Sequence, residues 1–299
     1  MKSIKVNNVA VIGLGLLGGS LAMALKKTSY RCLGWTRRLE VRENMLAAGH
    51  IDETADNVDD ILAQADLTVL CLPIPRINEF VKDHAHAWRP GSIVTDIGSV
   101  KEVIVLNGEM TLHPLEVNFI GSHPMAGTEK SGPENAFPEL YRSAEVFVTQ
   151  TPESNPEALE EVRKMWESIG TSVVTLGLKD HDILVGHTSH ISHILALALT
   201  QAVLDCEEGV KGPRYSGCAT GFKDTSRIAS SSPLMWREII ENNQPAVLEV
   251  VQEFEKRWHH LVEIIKNRDF DSLEKEFAQG KELRDDWIKY KNTKHNCNW

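Results

Sequence analysis

A short apolar strand that runs straight into three glycines constrains this chain more than any other feature. Val9 to Ile12 are apolar, and Gly13, Gly15 and Gly18 follow at the spacing Gly-x-Gly-x-x-Gly. Leu21 to Leu25 belong to the helix that comes next. In a strand–turn–helix unit the first glycine permits the tight turn. The second lets the backbone approach a pyrophosphate, and the third lets helix and strand pack closely. The helix N-terminus then offers free N–H groups and a partial positive charge to the phosphates. The pattern by itself is weak, but its place in an N-terminal β-α-β unit makes it a dinucleotide-binding turn.

The end of the second strand, Tyr30 to Trp35, selects the cofactor. An NAD site carries an acid there for the ribose 2′-OH. This chain has Thr36, Arg37 and Arg38, and no acid before Glu40. A hydroxyl and two guanidiniums suit a 2′-phosphate, which favours NADP and leaves NAD as the alternative. Further apolar runs at Leu67–Leu72, Ile93–Ile97, Phe119–Ile120, Val146–Val148 and Ser172–Leu176 alternate with helical segments. That alternation predicts an α/β Rossmann-type, doubly wound parallel sheet over residues 1–178. Asn155-Pro156 is a helix start, with Leu159, Val162, Met165 and Trp166 on one face.

From Asp180 the pattern is helical, so residues 179–299 are expected to form an all-α domain. Ile183 to Leu204 is apolar nearly all round and is expected to be buried. Ala246 to Ile265 places Val247, Val250, Val251, Phe254, Trp258, Leu261, Val262 and Ile265 at helical spacing. A lone helical half of this kind buries such helices against a partner subunit, so a homodimer through this domain is expected. The segment after Trp287 is polar and expected to fray.

The formal net charge of -10 argues against nucleic-acid and anionic-membrane partners. No run reaches the length expected of a membrane-spanning helix. The five cysteines, Cys32, Cys71, Cys206, Cys218 and Cys297, are odd in number and show no Cys-x-x-Cys spacing. A reducing, cytoplasmic location follows.

Two segments carry chemistry. Asp96-Ile97-Gly98-Ser99-Val100-Lys101 lies past a strand's carboxyl end, where open α/β sheets bind ligands. Gly121-Ser122-His123-Pro124-Met125-Ala126-Gly127-Thr128-Glu129 follows the next strand. Hydride removal from a carbinol carbon needs a base for the hydroxyl proton, and His123 is of the right type and place. His181, His187, His190 and His193 invite a metal reading, the last three at steps of three. No acid accompanies them in a ligand pattern, so no metal is expected.

In order and composition these segments resemble the prephenate/arogenate dehydrogenase family of tyrosine biosynthesis. The resemblance spans almost the whole chain. It includes the glycine turn, Cys71-Leu72-Pro73-Ile74, the Asp96–Lys101 segment and the His-Pro-Met-Ala-Gly-Thr block. In the helical half it includes Ser189-His190-Ile191-Ser192-His193, Gly221 to Ala229, and Pro233-Leu234-Met235-Trp236-Arg237. It implies oxidative decarboxylation of a cyclohexadienyl alcohol that bears a ring carboxylate. By this resemblance His123 polarises or deprotonates the 4-hydroxyl, and Ser99 hydrogen-bonds that hydroxyl or His123. Arg227 pairs with a substrate carboxylate, as a guanidinium fork can at any working pH. Ser189, His190, His193, Glu129 and Trp236 are the further substrate contacts that it implies. Gly13, Gly15, Leu16, Leu17, Gly18, Thr36, Arg37, Arg38, Leu72, Pro73 and Ser99 are the cofactor contacts.

Prephenate and arogenate differ in side chain, keto acid against amino acid. A histidine at position 193 favours prephenate, whereas the NADP-like strand end and Ser192, where relatives usually carry proline, pull away from it. Prephenate is the expected substrate, with arogenate or dual specificity as the alternative. With no room for a fused mutase or a regulatory domain, a monofunctional enzyme is expected. Two rival readings differ from it in residue content. A β-hydroxyacid dehydrogenase on the same plan would carry a catalytic lysine where this chain has Gly186-His187-Thr188-Ser189-His190. A non-catalytic NADP-binding redox sensor would lack His123 or Arg227, and both are present.

Overall fold

A computed structural model describes residues 4–127 and 132–295. The chain forms two compact units, Met1–Ala246 and Val247–Trp299.

The first unit opens with β1 (Asn8–Ile12), α1 (Leu16–Leu25), β2 (Arg31–Trp35), α2 (Leu39–Ala47), α3 (Val58–Leu62) and β3 (Leu67–Leu70). It continues with α4 (Ile74–His84), β4 (Ile93–Asp96), α5 (Glu102–Leu112) and β5 (Asn118–Phe119). The five strands pair in parallel in the order β2-β1-β3-β4-β5. Side chains alternate across this sheet, as the two-residue period of a strand requires. Val9, Val11, Leu67 and Val69 join α1 on one face, while Ala10, Ile12 and Leu70 join α3, α4 and α5 on the other. Both faces are covered, which is why the strands read as continuous apolar runs. Strand order reverses at β1, so the crevice for a ligand opens beyond the carboxyl ends of β1 and β3.

The later strands depart from the expectation of one parallel sheet. β6 (Ser122–Pro124), β7 (Glu145–Gln150) and β8 (Ser172–Gly177) form a separate three-stranded sheet. β6 runs antiparallel to β7, and β7 parallel to β8. Gly121 sits at the break. A side chain there would collide with Val105 and Thr149, at 2.4 and 2.6 Å. Between β7 and β8, α6 (Pro156–Ser168) begins at Asn155, whose side chain accepts from the Glu157 and Ala158 N–H groups. Its Trp166 is fully buried against Tyr141, and its indole N–H donates to the Ser122 hydroxyl at 3.0 Å. That hydroxyl donates in turn to the Asp96 carbonyl at 2.5 Å. One indole thus pins the second sheet to the end of β4.

The unit then becomes helical: α7 (Leu178–Val185), a π-helical turn (Gly186–His190), α8 (Ile191–Leu204), α9 (Glu208–Gly217), α10 (Thr220–Ser226) and α11 (Pro233–Asn242). Two expectations change here. Leu178–Leu204 is one helical stretch of 27 residues with hydropathy 1.3, long and apolar enough by length and composition to cross a membrane. It carries His181, Asp182 and His190 buried within the unit. Nor is α8 buried along its length: Ala196 alone is fully covered, and Leu197 and Leu199 are 50% and 38% exposed.

The second unit is built from α12 (Gln244–Lys266), most of which falls within it, and α13 (Phe270–His295). Arg268 turns the chain between them with φ 57°, and the Asp269 carboxylate accepts from the Ser272 N–H at 3.1 Å. His260 and Glu276 link the helices at 3.2 Å. Trp258 and Ile265, expected on a buried face, are 57% and 54% exposed. The polar segment after Trp287 stays helical to His295 rather than fraying.

Trp166→Ala removes a fully buried ring and one of the two donors to the Ser122 hydroxyl, leaving Thr95. Such a truncation costs about 3–5 kcal/mol. Urea unfolding followed by circular dichroism should show that loss with an unchanged m-value.

Candidate active site

The glycine turn closes over the end of β3. Gly13 has φ 99°, in the left-handed region that favours glycine. A side chain there would meet the Cys71 carbonyl at 2.3 Å and Leu72 at 3.0 Å. At Gly18 a Cβ would lie 1.9 Å from the Gly13 carbonyl oxygen. Gly15 is different. It caps α1 with no side-chain hydrogen bond, and a Cβ there would meet nothing within 4 Å. The first-turn N–H groups of Leu16, Leu17 and Gly18 have no intrahelical partner. No acid stands in that turn to compete for them. This open, electropositive cradle fits a pyrophosphate. Leu72 packs beside Gly13, and Pro73 caps α4.

At the end of β2, Thr36 is half-buried, while Arg37 and Arg38 are exposed. Neither arginine is held in an ion pair among the described residues. Arg42, buried nearby, is already committed. It lies over Trp35 at 5.8 Å and donates to the Thr36 carbonyl and to Asp56, at 3.3 and 3.2 Å.

His123 sits on β6, buried, past the carboxyl end of the main sheet. Its Nδ1 lies 2.9 Å from His181 Nε2, and His181 Nδ1 lies 2.7 Å from Asp182 Oδ1. Asp182 also accepts from the backbone N–H groups of Lys101 and Glu102, at 2.7 and 3.0 Å. Those groups open α5, where the helix dipole favours an anion. Lys101 is fully buried; its ammonium bonds Asp96 and donates to the Ser122 carbonyl at 3.0 Å. Asp96 accepts further from the Gly98 and Ser122 N–H groups. Ser99 lies half-buried on the intervening turn, and among the described residues no hydrogen bond joins it to His123.

Electrostatics follow from this packing. Burial, reinforced by the neighbouring His181, Lys101 and His190, holds the His123 pKa well below its usual value of 6.5. Burial also lowers His181, against the pull of Asp182. Burial works to raise Asp182, but hydrogen bonds from His181 and the Glu102 and Lys101 N–H groups outweigh it and hold the carboxyl low. The result is a neutral imidazole pair backed by a carboxylate.

A second cluster lies on the same helical stretch. Asn243 Nδ2 donates to the Asp182 carbonyl at 2.9 Å and meets His190 Nδ1 at 3.1 Å. His193 stacks on Trp236 with ring centroids 3.7 Å apart, and His190 meets the same indole edge-on at 5.8 Å. Trp236 is thus both a core-facing ring and a neighbour of these histidines, and its buried indole N–H has no partner among the described residues. His193 Nδ1 donates to the Ser189 carbonyl at 3.1 Å. Arg227 is exposed, makes no ion pair with Asp224, and lies near enough to His193 to help lower its pKa, although burial is the larger cause. Burial pushes His190 down to about 4. The steps of three from His187 to His193 do not make one histidine face. The π-helical turn leaves His187 exposed and His190 buried. Glu129 lies outside the described residues.

The structure thus gathers His190, His193 and Trp236, sets His123 against His181, and leaves Arg227 exposed. Sequence reasoning treated His181 as structural and missed Asp182, Lys101 and Asn243. The adjacent His181-Asp182 pair was visible, but its partners lie 58 to 81 positions away.

Comparison with known proteins places this geometry. The family model described as "Prephenate dehydrogenase, nucleotide-binding domain" matches residues 21–175. The one described as "Prephenate dehydrogenase, dimerization domain" matches residues 178–279. The chain belongs to the prephenate dehydrogenase family. It is 31% identical to the cyclohexadienyl dehydrogenase of Zymomonas mobilis over 93% of this chain and 94% of that relative. The solved prephenate dehydrogenase of A. aeolicus, in complex with hydroxyphenyl propionate and NAD+, superposes with TM-score 0.86 at 32% identity, covering 95% and 99% of the two chains. The arogenate dehydrogenase of Synechocystis gives TM-score 0.84 at 29% identity, covering 94% and 100%. The chain is thus an NAD(P)-linked dehydrogenase of this family, with a Rossmann-like domain followed by a helical one.

His190, neutral in the fold, takes up a proton in the unfolded chain below pH 6.5, whereas in the fold it does so only near pH 4. His123 and His181 shift in the same direction. Between those limits the unfolded chain binds more protons, so stability rises with pH and is lost as pH falls. The urea midpoint should therefore drop steadily from pH 6.5 to pH 4; a flat midpoint across that window would contradict the burial of these rings.

Proposed function

We propose that this chain is a prephenate dehydrogenase that converts prephenate to 4-hydroxyphenylpyruvate and carbon dioxide. The observation that carries this reading is His123, buried at the sheet's carboxyl end with Nδ1 engaged by His181 and with no hydrogen bond to Nε2 among the described residues. A bound nicotinamide dinucleotide supplies the hydride acceptor for the carbon bearing the 4-hydroxyl. His123 Nε2 takes the hydroxyl proton as that carbon gains carbonyl character. The ring carboxylate then leaves as carbon dioxide, its electron pair aromatises the ring, and His123 returns the proton to the phenolic oxygen. Ser99 orients the hydroxyl from the opposite loop.

Arg227 is exposed and unpaired among the described residues, as a guanidinium that receives a substrate carboxylate needs to be. Ser189, His190, His193 and Trp236 surround the substrate side chain. No acid among the described residues hydrogen-bonds either His190 or His193. Asp182 has both oxygens occupied. An arogenate ammonium group would find no free carboxylate there, which favours the keto acid. Arogenate is the second reading, favoured by the likeness to the Synechocystis enzyme.

The cofactor sits on Gly13, Gly15, Leu16, Leu17 and Gly18, against Leu72, Pro73 and Ser99. Thr36, Arg37 and Arg38 favour NADP, because two unpaired guanidiniums stand where an NAD site would carry an acid. The exposed apolar residues of α8 and the family's dimerization-domain match support a homodimer. The break between the matched regions, at residues 175–178, supports a domain boundary near 178. A cytoplasmic location fits a biosynthetic enzyme whose described cysteines are free.

Purified protein mixed with prephenate or arogenate, each with NAD or NADP, should reduce cofactor fastest with prephenate and NADP. No turnover in any of the four mixtures would sink the assignment. His123→Asn should lower kcat by about 10²–10⁴-fold with dinucleotide binding intact, and Arg227→Ala should chiefly raise the prephenate KM.

A separate arm tests the cofactor. Arg37→Ala/Arg38→Ala should raise the KM for NADP by about 10-fold or more and leave that for NAD nearly unchanged. Equal effects on both cofactors would remove the basis for NADP preference.

A further inference from the structure

A base at His123 must present a bare nitrogen to the substrate hydroxyl, and an isolated imidazole divides between two tautomers. Here the hydrogen bonds leave no choice. Asp182 accepts from two backbone N–H groups at the start of α5, so its oxygens act as acceptors and it is ionised. His181 Nδ1, 2.7 Å away, therefore carries a hydrogen. A neutral His181 then has its lone pair on Nε2, which accepts from His123 Nδ1. The remaining nitrogen of His123, Nε2, is bare.

We propose that His181 and Asp182 form a positioning dyad that sets the tautomer of His123 and balances the charge it acquires during proton transfer. This rests on the reading of His123 as the base.

Charge balance supports it. Among the described residues, the groups facing His123 are His181 and Asp182 from α7, Lys101 ahead of α5, Asp96 at the end of β4 and His190 from the π-helical turn. Lys101 and Asp96 neutralise one another as a buried ion pair. With all three histidines neutral, the cluster carries the single negative charge of Asp182. A proton arriving on His123 Nε2 brings the cluster to neutrality rather than to a net positive charge in a buried site. The His123 Nδ1 hydrogen stays on its bond to His181, and the His181 Nδ1 hydrogen stays on its bond to Asp182. No proton has to leave along the chain, and the one taken from the hydroxyl returns to the phenol from Nε2. His181 and Asp182 touch neither substrate nor cofactor in this scheme, and both act through His123.

The test compares His181→Leu, His181→Gln and Asp182→Asn with the full-length enzyme and with His123→Asn. The glutamine side-chain oxygen accepts from His123 Nδ1 and preserves the tautomer, whereas leucine cannot. Asparagine at position 182 removes the negative charge that balances a protonated His123 and turns an NH₂ donor towards either His181 or a backbone N–H group of α5. Asp182→Asn and His181→Leu should lose about 10²–10⁴-fold in kcat, as expected for a misoriented base. The prephenate KM and the dinucleotide dissociation constant should stay within about twofold. His181→Gln should recover about 10-fold or more over His181→Leu. Nitrogen-15 NMR of labelled histidine should find hydrogen on His123 Nδ1 in the wild type and in His181→Gln, and a mixture or the reverse in the other two.

Equal rates for the leucine and glutamine variants, or full kcat in Asp182→Asn, would overturn the dyad. So would a loss of kcat that tracks loss of dinucleotide binding and of cooperative unfolding in all three, since that is the signature of a structural role. If His123→Asn is dead while Asp182→Asn and His181→Leu are not, only the dyad fails. If His123→Asn turns over normally, the reading beneath it fails.

Discussion

The carboxylate of Asp182, seated on the first N–H groups of α5, organises the centre of this protein. It joins a helix that follows the second sheet to a helix that follows the fourth strand of the first. The same oxygens hold His181, and His181 holds His123. Breaking that seat would leave a buried anion without donors and detach the helical segment from the loop of Lys101. The cost of an unpaired buried charge, about 3–5 kcal/mol, is large beside a domain's net stability. Fold and chemistry depend here on one side chain.

The nucleotide-binding half was legible because its information is local. A strand, a glycine turn and a helix occur within 18 residues of Val9, and every link between them is a backbone rule. The helix start at Asn155-Pro156 was legible for the same reason. The break into two sheets was not. Val146 to Val148 has the composition of a parallel strand, and only its pairing with Ser122 to Pro124 reveals its direction. Pairing across such a distance leaves no mark in hydrophobic period.

The site divided along the same line. His123 and Arg227 stand in segments whose residue order is distinctive. Asp182 does not, because an acid in the first turns of a helix is ordinarily a solvated one. Asn243 is equally plain in sequence, yet it holds His190 and the Asp182 carbonyl together. The apolar stretch from Ile183 to Leu204 was read as buried from composition, and the single chain covers little of it. Composition records what a surface needs, not which molecule meets the need.

The π-helical turn at Gly186–His190 carries a geometric consequence for the histidines on either side of it. In an uninterrupted α-helix, about 100° per residue would place His181 and His190 about half a revolution apart, on opposite sides of the rod. The wider turn absorbs roughly one residue of phase. That brings the later histidine round to within about a quarter revolution of the earlier one. Two functional clusters therefore share one side of a single rod through a fault in its winding. Any wheel drawn at constant pitch through this segment assigns half of its residues to the wrong face. A one-residue deletion inside the turn would restore a regular α-helix and keep the downstream histidines in phase, whereas the same deletion elsewhere in the rod would rotate them by about 100°.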